Sequence, residues 1–373
     1  MEKQGKTAMK VKIMPWIGIS VLLFGGLFCS CDNLWMKKFI NPLANDEPGR
    51  KPDNPFAHID EPEDGSAANP FNVYDIATLQ RVGKGTGEYE AWNLEANYKQ
   101  TKDIDMTGVT GFQPIGEDAN PFTGAYDGQN HTITGLTISG SRNYAGLFGY
   151  IGLGGVVKNV GLKDIIVSGS SFIGGAAGCN SGGTVQNCYV TGNVTGASYA
   201  GGLVGRNSNG IIENSYTACS VKGSSYIGGL AGQNAASSTV KSCYTAGNVG
   251  DNASSAFAGG LVGQNDNSKV EYCAALNQTI TGSSSTTGRV AGSAGLSGLT
   301  GNYAREDMLI NGSPAAANIG QTEIHGENVN TSTPGGGHNS QLFWENTMGW
   351  DFAAVWVWNN STHLPNLKNM PLP

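Results

Sequence analysis

The chain has 373 residues, of which 56 are glycine and only 14% are charged, with a net charge of −7. That length allows a large core, but an acidic balance with Lys and Arg scattered singly excludes a nucleic-acid partner, which needs a clustered basic face. Five scattered histidines without an H-E-x-x-H, and no G-G-x-G-x-D repeat, exclude the common zinc and calcium patterns, so neither metal nor cofactor is expected.

At the N-terminus Lys3, Lys6, Lys10 and Lys12 precede the apolar run IMPWIGISVLLFGGLF and then CSC. A charged stretch followed by an apolar one is the pattern of a secretory signal. The segment FCSC resembles the bacterial lipobox, which makes residues 1–30 a lipoprotein signal peptide and Cys31 the lipidated first residue of the mature chain. The expected location is the bacterial cell envelope, lipid-anchored in the outer membrane or at the cell surface. An uncleaved membrane anchor is the alternative, and the short run with Pro15 counts against it. Residues 31–71, rich in Pro, Asp, Glu and Asn, read as the lipidated cysteine and a disordered tether.

Residues 72–145 read as an N-terminal cap with irregular first rungs. Ile76, Leu79 and Val82 fall at helical spacing before Gly83, predicting a short amphipathic helix that plugs the lower end of a solenoid. Two polar clusters invite catalytic readings: Glu117 with Asp118, and Asp127 with His131 in YDGQNHTI. Adjacent carboxylates in a loop diverge, and Asp-Gly favours a tight turn, so both are read as structural.

Residues 146–295 carry repeats. Gly149, Gly178, Gly205, Gly232 and Gly263 close successive copies of G-L-x-G, 27 to 31 residues apart, and a decayed sixth copy, AGSAG, ends at Gly295. Each copy then places an aliphatic residue (Val157, Val185, Ile212, Val240, Val270), a corner residue (Asn159, Asn187, Asn214, Ser242, Tyr272) and a small inward residue (Val160, Cys188, Ser215, Cys243, Cys273). Runs this short, with β-branched apolar positions, exclude amphipathic helices and predict one coil of parallel β-helix per repeat. A single rung cannot bury its few apolar residues, but stacked rungs turn each into a continuous column. The Asn column is expected to form an amide ladder along a corner.

AGLFG, GGLVGRN, GGLAGQN and GGLVGQN, the middle two followed by V/I-x-N/S-[CS]-Y, resemble the GLUG motif family of bacterial surface adhesin-like proteins, also found beside the catalytic domain of IgA-type metallopeptidases. The repeat at Gly178 departs by reading GGAAG, and the last full repeat has EYCAAL for the usual N-S-Y. The lead-in KDIDMTG and the ending GWDFAAVWVWNNSTHLPNLK resemble the flanks of such domains, so the likeness covers residues 72–369. It implies a right-handed parallel β-helix and an envelope or adhesion context, and it supplies no catalytic residue.

Cys188, Cys243 and Cys273 share an inward position that Val160 and Ser215 also occupy, which favours buried thiols over a Cys243–Cys273 bridge. Two aromatic files recur. Tyr189, Tyr216 and Tyr244 alternate outward from the small inward position and form the candidate binding surface, presenting flat ring faces to a glycan or surface protein. Tyr144, Phe172, Tyr199, Tyr226 and Phe257 form a second file before the G-G pair. Residues 296–373 read as an irregular loop and then a cap, in which Trp344, Trp350, Trp356 and Trp358 seal the top of the solenoid.

The whole reads as all-β: a right-handed parallel β-helix with a short N-terminal capping helix and a Trp-rich C-terminal cap. The function expected is a non-catalytic, surface-displayed, adhesin-like lipoprotein, held to the membrane through Cys31. The alternatives are a polysaccharide-acting β-helix enzyme, lyase or glycoside hydrolase, and a structural subunit of a surface assembly.

Overall fold

Glycine-rich repeats of this length bury apolar side chains only by coiling, and the chain does so. The computed structural model describes residues 63–371 apart from 251–256, 296–297, 316–319, 321 and 331–336. The predicted signal peptide and Cys31 lie outside the described residues.

Three parallel sheets form the sides of the coil. The first stacks nine strands, from Phe71–Val73 at the bottom to Leu299–Thr300 at the top. Its register sets Val157, Val185, Ile212, Val240, Val270 and Leu299 directly over one another, as the repeat predicts. The second stacks six strands, from Phe148–Ile151 to Ala291–Ala294, and the third runs from Ile104–Asp105 to Glu327–Val329. Parallel strands buried on their inner face hold a single column of Val, Leu, Ile and Cys, nearly all of it without solvent contact. The sixth repeat is placed differently from the sequence expectation: Val262 pairs with Ala291, so Gly292 rather than Gly295 occupies the closing-glycine position.

The corner column has backbone reasons for its residues. Asn159, Asn187, Asn214, Ser242 and Tyr272 all have φ between 49° and 56°, a left-handed conformation that Asn tolerates best among residues with a side chain. The expected ladder forms at the lower end, where Asn187 Nδ2 donates to Asn159 Oδ1 (3.0 Å) and Asn159 Nδ2 to Asp127 Oδ1 (2.9 Å). A second ladder is wholly buried. Asn180 Nδ2 donates to Asn207 Oδ1 (2.8 Å), Asn207 to Asn234 (2.9 Å) and Asn234 to Asn265 (2.8 Å). Each amide also caps a backbone carbonyl at the next turn, as Asn207 does for Gly210 O (3.1 Å).

The lower end is closed as expected by a helix, Ile76–Arg81, capped by Asp75, with Leu79 fully buried. The upper end departs from expectation. It is closed by residues around Arg289, a buried arginine whose guanidinium donates to the carbonyls of His325 (2.9 Å), Arg305 (3.0 Å) and Gly326 (3.2 Å). Above Thr279–Ile280 the short hairpin Leu309–Ile310 with Ser313–Pro314 adds an antiparallel strand, and Pro314 lacks the N–H that further pairing needs.

The tryptophan-rich segment does not seal the top. It lies along the flank, over the outer face of the third sheet, where Trp344, Trp350 and Trp356 pack on Tyr216 and Tyr244. Its antiparallel hairpin, Trp356–Asn359 with Leu364–Leu367, accepts a hydrogen bond from Tyr244 Oη at Pro365 O (2.8 Å). The outward Tyr file is apolar enough to need a cover, and this segment supplies it.

Candidate functional site

That cover removes the first candidate surface. Tyr189, Tyr216 and Tyr244 do point outward from the third sheet and do stack, at 5.3 and 4.8 Å between centroids, but they are 0%, 2% and 2% exposed. Alternation gave their direction correctly. What alternation cannot give is a segment more than a hundred residues distant in the chain folding over them.

The other aromatic file remains open. Tyr144, Phe172, Tyr199, Tyr226 and Phe257 stand one per rung at the corner between the third and second sheets, all half-buried. Successive centroids are 4.8, 4.8, 4.7 and 5.1 Å apart with planes within 7°. The ring faces therefore cover one another, and solvent meets their edges and the phenolic hydroxyls of Tyr144, Tyr199 and Tyr226. A flat-face platform for a ligand is excluded along the file.

The backbone beneath is unusual. Tyr144, Phe172, Tyr199 and Tyr226 have φ of 56°, 61°, 52° and 53°. The closing glycines of the repeat hold this corner. A Cβ on Gly178 would sit 2.6 Å from Tyr144 Cα, and one on Gly232 would sit 2.6 Å from the Tyr199 carbonyl carbon. The G-L-x-G signature thus exists so that the aromatic corner can lie against the neighbouring rung. A bulky residue held left-handed costs about 1 kcal/mol or more, and a stacked aromatic pair returns only a comparable ~1 kcal/mol. Glycine or asparagine would occupy the corner more cheaply, so stability alone does not account for four successive strained rings.

Polar columns border the file. On the second sheet the outward positions run Tyr150, Cys179, Arg206, Gln233, Gln264 and Ser293, with Gln233 Nε2 donating to Gln264 Oε1 (2.7 Å). On the third sheet Ser171, Ser198 and Ser225 stack in register. Burial, reinforced by Asp118, raises the Tyr144 phenol, and burial raises that of Tyr150. Burial also pushes the Cys179 thiol up to about 11 against the opposing pull of Arg206. Arg206 is the one Lys or Arg in these two columns, and its Nε is buried without a hydrogen-bond partner.

The remaining sequence candidates resolve into structure. Asp127 accepts from the Gln129 N–H (3.0 Å) in a turn and pairs with Lys158 (3.2 Å), while His131 pairs with Asp103 (3.2 Å) rather than with Asp127. Glu117 closes a reverse turn with Asn120, the backbone N–H of each donating to the carbonyl of the other (2.9 and 3.0 Å). Cys179, Cys188, Cys219, Cys243 and Cys273 are free and buried, and burial pushes Cys188 up to about 12. Among the described residues no three His, Cys, Asp or Glu side chains converge on a metal position. The sequence reading missed the Asn180 ladder, although its signal is visible as the Asn two places after Gly178, Gly205, Gly232 and Gly263.

Comparison with known proteins agrees with this architecture. The model of the GLUG motif matches residues 196–218 and 258–281. Halomucin of Haloquadratum walsbyi is 33% identical over 135 residues, 35% of this chain and 2% of that protein. A protein of Evansella cellulosilytica, provisionally named a Gly-rich membrane protein, is 36% identical over 135 residues, 34% of this chain and 15% of that one. The chain thus spans only a small part of either relative. In fold it is similar to a crystal structure from Bacteroides ovatus provisionally named an immunoglobulin A1 protease, with a TM-score of 0.66 and 22% identity over 83% of this chain and 95% of that one.

Proposed function

We propose that the chain is a non-catalytic binding rod of the cell envelope, tethered by lipid on Cys31, which engages an extended polymer lying along its axis. The observation that carries this reading is the half-exposed file of five stacked rings, built at a cost in backbone strain and bordered by hydroxyl and amide columns. Its chemistry repeats once per rung, so it suits a ligand that also repeats, a surface glycan or an extended protein segment. Ring edges and phenolic hydroxyls offer T-shaped contacts and hydrogen bonds rather than stacking. The relatives named for a mucin and a membrane protein support an envelope setting for the same motif.

Tyr199→Asn with Tyr226→Asn tests the reading, because Asn keeps the left-handed corner while removing the ring. The double variant is expected to keep its circular dichroism spectrum and to lose retention on immobilised envelope polysaccharide or on cells. Unchanged retention by the folded variant would refute the ribbon as the binding surface.

A further inference from the structure

At the foot of the aromatic file, two residues before Tyr144, Arg142 lines a cavity of about 140 Å³ with Thr110, Phe112, Gln113, Thr137 and Ser139. Its Nη1 donates to Gln113 Oε1 (3.1 Å), and its Nε is buried without a partner. The chain fixes the residue firmly, since Arg142 O accepts from the Ser170 N–H (2.8 Å). Lys84 reaches the same place from another loop, donating from Nζ to Gln113 O (3.1 Å) with Phe112 5.6 Å away.

Two cations thus flank one glutamine, and among the described residues neither forms an ion pair. Desolvation first, and then the charge of Arg142, lower the Lys84 amine. On a chain with 29 acidic residues against 22 basic ones, an uncompensated pair is not a by-product of composition. The cavity holds the volume of roughly five waters, well below the roughly 300 Å³ at which pockets begin to take a whole small molecule. Its size, its arginine fork and its rim of Thr and Ser hydroxyls match a single planar or tetrahedral oxyanion.

We propose that this cavity is an anion subsite that takes one carboxylate or sulfate group carried on an acidic polysaccharide. The polymer as carrier rests on the binding-rod reading; the anion site does not. Arg142 grips the group, Lys84 attracts it at the rim, and the ribbon above receives the neutral part of the chain.

The test titrates the full-length protein with glucuronate, glucose 6-sulfate and glucose by calorimetry at low salt. One or both anions are expected to bind, glucose not to, and the binding anion identifies the carrier as carboxylated or sulfated. Arg142→Gln is expected to weaken anion binding ~10-fold or more, Arg142→Lys less, and Lys241→Gln, exposed on the first sheet and outside the cavity, not at all. Circular dichroism establishes that each variant is folded. Equal binding by folded Arg142→Gln, equal binding of glucose, or no anion binding overturns the subsite. Retention of polygalacturonate, dextran sulfate and neutral dextran separates the two claims. If the double ring variant loses polymer while still titrating anion, both readings stand. If wild type holds all three polymers equally and no free anion binds, the rod reading stands and the subsite falls.

Discussion

Replacing Asn207 with Leu removes the middle of the buried amide ladder at nearly constant volume. Asn234 Oδ1 loses its donor (2.9 Å) and the Asn180 amide loses one of its acceptors (2.8 Å), while Gly210 O keeps the Thr239 N–H (3.0 Å). At about 1–3 kcal/mol for each of these two buried groups, the loss is roughly 2–5 kcal/mol after the gain from burying leucine. Asn180→Leu, at the ladder's end, orphans only Asn207 Oδ1, since Gly183 O keeps the Ile211 N–H (2.9 Å), and removes an Oδ1 that is already unpartnered. It should cost about half as much. Urea unfolding followed by far-ultraviolet circular dichroism measures both through the shift in midpoint at constant slope. If Asn207→Leu lies within ~0.5 kcal/mol of the parent, or costs no more than Asn180→Leu, the argument that stacked amides fix the rungs is wrong.

The closing glycines give a sharper contrast. Gly205→Ala places a Cβ 2.5 Å from Gly178 O and Ile173 N, both backbone, so it should cost more than ~3 kcal/mol, whereas Gly154→Ala meets nothing within 4 Å and should cost ~1 kcal/mol for its φ of 82°. Thermal unfolding of the pair decides it. Acid stability should fall as pH drops from ~6.5 to ~4. Burial and then Arg289 push His325 down to about 4, and burial and then Arg305 push His338 down to about 4, so in that window the unfolded chain binds protons that the folded chain refuses. The loss is about 1–3 kcal/mol per histidine, and His338→Gln should flatten the slope measured by denaturation at several pH values. Trp356→Ala, at 1% exposure in the flank segment, should cost about 3–5 kcal/mol and raise binding of a hydrophobic dye as Tyr216 and Tyr244 are uncovered. No rise in dye binding would mean that the segment does not shield them.

The repeating part of this fold is legible because periodicity encodes it directly. Val185, Ile212 and Val240 stack as spacing alone dictates, and the glycines mark where backbones touch. Legibility ends where contacts become long-range. That Gly292 and not Gly295 closes the sixth repeat depends on a pairing with Ala291 that the eroded motif no longer signals. That Tyr189 is hidden depends on where residues 341–370 dock, which nothing local to that tyrosine signals. The upper closure escapes notice for the same reason: a lone Arg289 in a Gly-rich stretch gives no hint that it will gather three carbonyls from residues 16 to 37 positions later.

Stacks whose layers touch only their neighbours come apart like a deck dealt from one end. The flank hairpin changes that order of events here, because it ties Tyr216 to Asn366, 150 positions later, and Tyr244 to Pro365. Several upper layers must loosen together before any one of them can leave. A tug on the C-terminal end reaches this sideways strap before it reaches the topmost layer, so the molecule resists shear where an unstrapped stack would unzip.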